Sequence, residues 1–101
     1  MKTIEQGIAI VIRYKRCRQG LFTDYGSEID NWFEYYREEL RQCSLFERSD
    51  SANTLAIRFR NDKYVIYSTD ERAAVWGTEY IYDNPEEATA KYLELYKLLK
   101  K

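Results

Sequence analysis

Residues 54–69, TLAIRFRNDKYVIYST, decide the fold class. Two runs, Thr54 to Arg60 and Lys63 to Thr69, flank the dipeptide Asn61-Asp62. Asn and Asp tolerate the positive φ that a two-residue hairpin turn requires. Folding the chain at that dipeptide sets Phe59 opposite Tyr64, Ile57 opposite Ile66 and Leu55 opposite Ser68. The other face then shows Arg58 opposite Val65, Ala56 opposite Tyr67, and Arg60 beside Lys63. The larger apolar side chains gather on one face without adjustment. A slip of one residue would turn them outward, so the pattern specifies the register.

Downstream of the hairpin, a third strand is predicted from about Ala73 to Tyr82, with Gly77 marking a bulge or bend. Asp83-Asn84-Pro85 stops the sheet and opens a helix. Asn84 is its expected N-cap, Pro85 suits the first helical position, and Glu87 stands where a capping box needs it. Ala88, Tyr92, Leu95, Tyr96 and Leu99 recur at helical spacing as its buried stripe, and Lys97, Lys100 and Lys101 suit its C-terminal end.

Upstream lies another helical pattern. Ser27 is the expected N-cap, with Glu28 and Asp30 in the first turn. Ile29, Trp32, Phe33, Tyr36, Leu40 and Cys43 form an apolar stripe, and Asp30, Glu34, Arg37, Glu38 and Arg41 lie opposite. Residues 44–53 read as a polar connection from which Leu45 and Phe46 tuck back into the core. The N-terminal 19 residues carry two signals. Ile8 to Ile12 is β-branched and strand-like. Thr3 with Gln6 makes a capping-box pattern, and Ile4, Ile8, Val11 and Ile12 follow helical spacing. Lys15, Arg16 and Arg18 suit a helix C-terminus, with Gly20 at the position just beyond it. The helix is taken, with the strand as the alternative. Ile10, Tyr14 and Cys17 then form a second apolar stripe, which needs cover on two sides or a second copy of the chain in a homodimer. The expected architecture is α+β: two N-terminal helices, a three-stranded antiparallel sheet and a C-terminal helix, in one domain spanning residues 1–101.

Composition narrows the function. The chain has 101 residues, 16 Lys+Arg against 17 Asp+Glu, two Cys and no His. Lacking His, it has neither the commonest general base nor the commonest zinc ligand. No nucleophile-elbow, phosphate-loop, dinucleotide or zinc-protease motif occurs. The adjacent carboxylates Glu38/Glu39 and Glu86/Glu87 point in different directions on a helix, and Glu34/Glu38 lie beside Arg37 and Arg41. No catalytic residue, metal ligand or cofactor is therefore expected. Cys17 and Cys43 make no CxxC pair and read as buried or half-buried thiols of a reducing compartment, the cytoplasm. The longest apolar run is far too short to span a membrane.

The net charge of −1 conceals blocks. Residues 24–50 hold eight acidic and three basic residues, and residues 70–87 hold six acidic residues against Arg72. Ten Tyr and two Trp exceed what a small core needs, and Tyr25, Tyr35, Tyr67, Tyr80 and Tyr82 are candidates for partial exposure. Tyr, Trp and Arg are the residues enriched at interface hot spots. The candidate partner-binding surface therefore comprises Glu28, Asp30, Glu34, Glu38, Asp70, Glu71, Glu79, Asp83, Glu86 and Glu87 with Tyr80 and Tyr82. Acidic side chains so grouped would occupy a basic nucleic-acid groove of a protein partner. The alternative site is the outer sheet face, where Arg58, Arg60 and Lys63 would meet phosphates and Tyr67 would stack on a base.

Val75-Trp76-Gly77-Thr78 followed by Asn84-Pro85-Glu86-Glu87-Ala88 resembles, in layout, the three-strands-then-helix arrangement of AP2-type and integrase arm-type DNA-binding domains. That resemblance implies sheet-borne Arg and Trp contacts, with Arg58, Arg60 and Trp76 in comparable places. Residues 28–99 also resemble double-stranded-RNA-binding domains in element order, although Glu86 and Glu87 stand where those domains carry lysines. The sequence thus favours a non-enzymatic protein-binding module. The expectation is a small phage or mobile-element inhibitor of the anti-CRISPR or anti-restriction kind acting as a nucleic-acid mimic. An antitoxin or immunity protein follows the same logic, and a nucleic-acid-binding domain is the alternative.

Overall fold

The computed structural model describes residues 2–15, 26–41, 43–45, 55–68 and 78–99. Within them the order is α1 (Ile4–Arg13), α2 (Gly26–Tyr35), β1 (Cys43–Leu45), β2 (Leu55–Arg60), β3 (Lys63–Ser68), β4 (Thr78–Tyr82) and α3 (Pro85–Leu99). The α+β class holds, with three helices and an antiparallel β2-β3-β4 sheet closed by a C-terminal helix. The hairpin register is the one its residues dictate, from Leu55 opposite Ser68 to Arg60 opposite Lys63. Asn61 and Asp62 take φ of 54° and 62°, the left-handed values a tight hairpin turn demands.

The N-terminal segment is helical, not a strand. Thr3 and Gln6 form a reciprocal capping box: the Gln6 N–H donates to Thr3 Oγ1 at 3.1 Å, and the Thr3 N–H donates to Gln6 Oε1 at 2.9 Å. The helix ends earlier than its basic tail suggests. Arg13 is its last residue, and Lys15 takes a left-handed conformation beyond it (φ 53°). A tertiary contact accompanies the stop: the Lys15 ammonium sits 3.9 Å from the centre of the Phe59 ring. Arg16, Cys17, Arg18 and Gly20 lie outside the described residues.

The second helix is shorter than its apolar stripe implies. It starts at Gly26, so Ser27 lies inside its first turn, and it ends at Tyr35. Residues 36–41 continue in turns that mix helical spacings, with the Leu40 N–H bonded to the Tyr36 carbonyl and the Arg41 N–H to the Glu38 carbonyl. Cys43 is then not helical. It opens β1, a parallel edge strand that pairs Cys43 with Leu55 and Leu45 with Ile57. Pairing with β2 satisfies backbone groups that a polar loop would leave to water. Leu45 is buried as expected, but from a strand; Phe46 lies outside the described residues. Among the described residues the sheet therefore has four strands in the order β1-β2-β3-β4. The third antiparallel strand is described from Thr78, and Gly77 with the rest of 69–77 lies outside the described residues.

One face of the sheet carries Leu55, Ile57, Tyr64 and Ile66, all buried under α1 and α3. Ile8 and Ile12 of α1, Ile29 and Trp32 of α2, and Ala88, Tyr92 and Tyr96 of α3 complete this core. Leu95 and Leu99 are half-buried against it. The α1–α2 joint is tight. The indole of Trp32 lies on Gly7 so closely that a Cβ there would stand 2.0 Å from a ring carbon. The indole N–H donates to the Thr3 carbonyl at 3.0 Å. α1 is thus covered on two sides, by α2 and by α3; of the expected second stripe Ile10 is half-buried, but Tyr14 is 47% exposed.

Candidate protein-binding surface

The two acidic blocks of the sequence arrive at different places. The first lies along α2 and the turn after it. Ile29, Trp32 and Phe33 point inward, which leaves Glu28, Asp30, Glu34, Tyr35, Glu38 and Glu39 exposed. Glu28 pairs with Lys2 at 3.1 Å, and Glu34 lies 3.8 Å from Arg37, one turn on. Asp30, Glu38 and Glu39 have no cationic partner among the described residues.

The second block lies on β4 and at the start of α3, and other elements bring cations to it. Glu79 pairs with Arg60 of β2 at 2.8 Å, Asp83 pairs with Lys63 of β3, and Glu86 pairs with Arg13 of α1 at 2.6 Å. A hydrogen bond from the Arg13 guanidinium first, and a backbone hydrogen bond second, hold the Glu86 carboxyl below its usual range. Glu87 is exposed, and its N–H donates to Asn84 Oδ1 at 2.8 Å, the expected N-cap. Asp70 and Glu71 lie outside the described residues. Four carboxylates are thus met by three cations here, against five met by two along α2 and its turn.

The tyrosines divide as well. Tyr80 and Tyr82 stand opposite Ile66 and Tyr64, on the helix-covered face, and are half-buried against the core. Lys91 of α3 places its ammonium 4.4 Å from the Tyr80 ring centre. They are therefore separated from Glu79, which points to the other face. Tyr35 is 67% exposed, the most exposed of the large hydrophobic side chains described. Its ring meets that of Tyr36 edge-on at 4.8 Å, and Tyr36 in turn lies 6.1 Å from Trp32. Tyr25 lies outside the described residues.

The alternative nucleic-acid face is present as a register but is not a free basic surface. Ala56, Arg58, Arg60, Lys63, Val65, Tyr67, Glu79 and Ile81 share it. Two of its three cations are engaged by Glu79 and Asp83, and Arg58 and Tyr67 are half-buried. The Arg60–Glu79 pair joins β2 to β4 across β3, whose outward residue between them, Val65, is buried. Trp76 lies outside the described residues. The Lys63–Asp83 pair was legible: extending the Tyr64–Tyr82 register by one residue sets these two side by side. The Arg13–Glu86 and Lys2–Glu28 pairs join residues distant in sequence and had no local signal.

Among the described residues no three His, Cys, Asp or Glu side chains are grouped to hold a metal ion, and no helix is long and apolar enough to cross a membrane. The buried Cys43 side chain lies beside the Tyr92 hydroxyl. A family model described as Immunity protein 59 matches residues 24–100. The matched range begins before α2 and runs through the sheet to the end of α3, so it contains both acidic blocks. No curated protein and no solved structure matches the chain.

Proposed function

The chain belongs to the Immunity protein 59 family, and on that premise we propose that it is a non-catalytic immunity protein that binds a protein toxin and blocks it sterically. The family match carries this reading, and it selects the immunity branch of the sequence expectation over the phage anti-CRISPR or anti-restriction branch. Two features of the chain support it. No catalytic motif is present in the sequence, and the carboxylates of α2 and its turn offer an anionic surface to a cationic partner. The class of toxin that such a surface suits is one with a basic, nucleic-acid-handling cleft, because complementary charge speeds encounter and fixes register. Asp30, Glu34 and Glu38 are the acidic contacts proposed first. Asp83, Glu86 and Glu87 are secondary, since two of the three already have cationic partners.

The test is a growth rescue. The tagged chain is used to recover its stoichiometric protein partner from lysate of source cells, with and without nuclease treatment. The partner is then expressed in a naive host with and without this chain. Growth arrest that co-expression relieves supports the proposal. A partner that is not toxic, or toxicity that co-expression leaves unchanged, overturns it. Recovery of nucleic acid alone, lost on nuclease treatment, would transfer the function to Arg58, Arg60, Lys63 and Tyr67.

A further inference from the structure

We infer that the outward face of α2, centred on Tyr35 and continued by Glu34, Glu38 and Glu39, is the face that docks on the toxin, with Tyr35 as its anchor in a basic cleft. The inference rests on the immunity reading and names the part of the molecule that performs it.

Three observations converge on this face. First, α2 is locked from behind. Trp32 is fully buried on Gly7 with its N–H bonded to Thr3, and Ile29 and Phe33 are buried beside it. A docking helix fixed in this way loses little conformational entropy on binding. Second, Tyr35 is held out in solvent without being loose. Its ring is 67% exposed, yet it rests edge-on against Tyr36, which continues to Trp32. An aromatic ring poised on a rigid support is the usual form of an interface anchor. Third, carboxylates outnumber cations around the ring, with Glu34, Glu38 and Glu39 against Arg37 and Arg41. Glu34 is adjacent, and Glu38 and Glu39 follow in the turns beyond the helix, held by the Tyr36 N–H to Trp32 carbonyl and Leu40 N–H to Tyr36 carbonyl bonds. Glu38 and Glu39 have no cation among the described residues, so a partner's Arg or Lys side chains would meet carboxylates without breaking an existing pair. At β4 and the start of α3 the same approach would first displace Arg60, Lys63 or Arg13. The occupant that fits is therefore a basic protein surface. A second copy of this α2 would bring like charges together.

The experiment titrates the toxin identified by growth rescue against the full-length chain and three variants, with circular dichroism confirming each fold. Tyr35→Ala and the double variant Glu34→Lys/Glu38→Lys are each expected to weaken binding by about 30-fold or more, the range of an interface hot spot. Glu94→Lys, an exposed acidic site on α3 outside the proposed contacts, is expected to stay within about 3-fold of wild type, as peripheral positions do. Raising salt should weaken wild-type binding and leave the double variant less affected. Wild-type affinity in both α2 variants, or a larger loss from Glu94→Lys, overturns the assignment while leaving the immunity reading intact. A wild-type chain that binds no toxin overturns the reading and this assignment together. A photo-crosslinking residue at position 35 gives a check that does not depend on variant folding: it should capture the toxin, and the same residue at position 81 should not.

Discussion

Two stretches of similar acidity end in opposite electrostatic states. Around β4 and the start of α3, three of four carboxylates are met by Arg60, Lys63 and Arg13, each from a different element. Along α2 and its turn, Lys2 and Arg37 meet two of five. Composition does not separate the two stretches; position does. β4 is hydrogen-bonded to a strand whose hairpin partner is rich in Arg, whereas α2 turns one side to α1 and the other to water. An acidic block in a sequence therefore becomes an acidic surface only where the fold brings no cation to it.

The comparison presumes that α2 is locked on its inner side, and Gly7→Ala attacks that lock. The added methyl would overlap the Trp32 ring, so α1 and α2 must separate. Overpacking of this kind costs about 3 kcal/mol, more than the gain in helix propensity. The denaturant midpoint should fall accordingly, and an unchanged midpoint would place Trp32 elsewhere.

The two regions meet where Cys43, after the α2 turn, faces Tyr92 and Tyr96 of α3. The Tyr92 hydroxyl is fully buried with no hydrogen-bond partner among the described residues. Tyr92→Phe removes an unmet polar group and keeps the ring, so stability should be unchanged or rise by about 1 kcal/mol. Burial first, and the neighbouring thiol second, raise the Tyr92 pKa well above its ordinary value of 10.0, and burial also raises that of Tyr96. The unfolded chain releases these protons near pH 10 and the folded chain retains them. Stability is therefore full below about pH 10 and falls as pH rises beyond it. Thermal melts from pH 9 to 11 should show this decline, and it should be shallower in Tyr92→Phe.

The paired cluster offers a gentler test at acid pH. Arg13 holds the Glu86 pKa low, so their pairing contributes above the ordinary carboxylate range and is lost as pH falls through the lowered value. In Arg13→Ala the Glu86 titration, followed by NMR, should move up toward the ordinary range of 4.5. No movement would mean that the pair does not form in solution. The smallest stability effect is expected on the free side: Glu38→Gln with Glu39→Gln should change stability by under about 0.5 kcal/mol, as exposed sites do. A larger loss would show that these carboxylates have internal partners and would blur the contrast.

Much of the fold was legible because its signals are local. The Asn61-Asp62 turn, the Thr3 and Asn84 caps and the stripe of α3 each lie within a few residues of the groups they organise. The α2 stripe misled beyond Tyr35 because Leu40 and Cys43 remain buried at nearly helical spacing while the backbone leaves the helix. β1 was missed for the same reason: three residues are too short to show an alternation. At the candidate surface, the exposure of Tyr35 was among the sequence expectations, but the separation of Tyr80 and Tyr82 from Glu79 follows from strand alternation and could have been seen.

By itself the sequence determined the α+β class, the hairpin and its register, the identity of α3, and the lack of a catalytic motif, since each depends on residue type at short range; for α1 it left a strand as the alternative. Tertiary structure alone decided where α1 and α2 stop, that a fourth strand joins the sheet, and which carboxylates keep their charge free. Those outcomes depend on what distant residues bring into contact: Lys15 on Phe59, β2 beside Cys43, and Arg13, Arg60 and Lys63 on one acidic block but not the other. Hydrogen-bond pairing and Coulomb attraction act over a few ångströms of space, and distance along the chain does not reveal which groups will come that close.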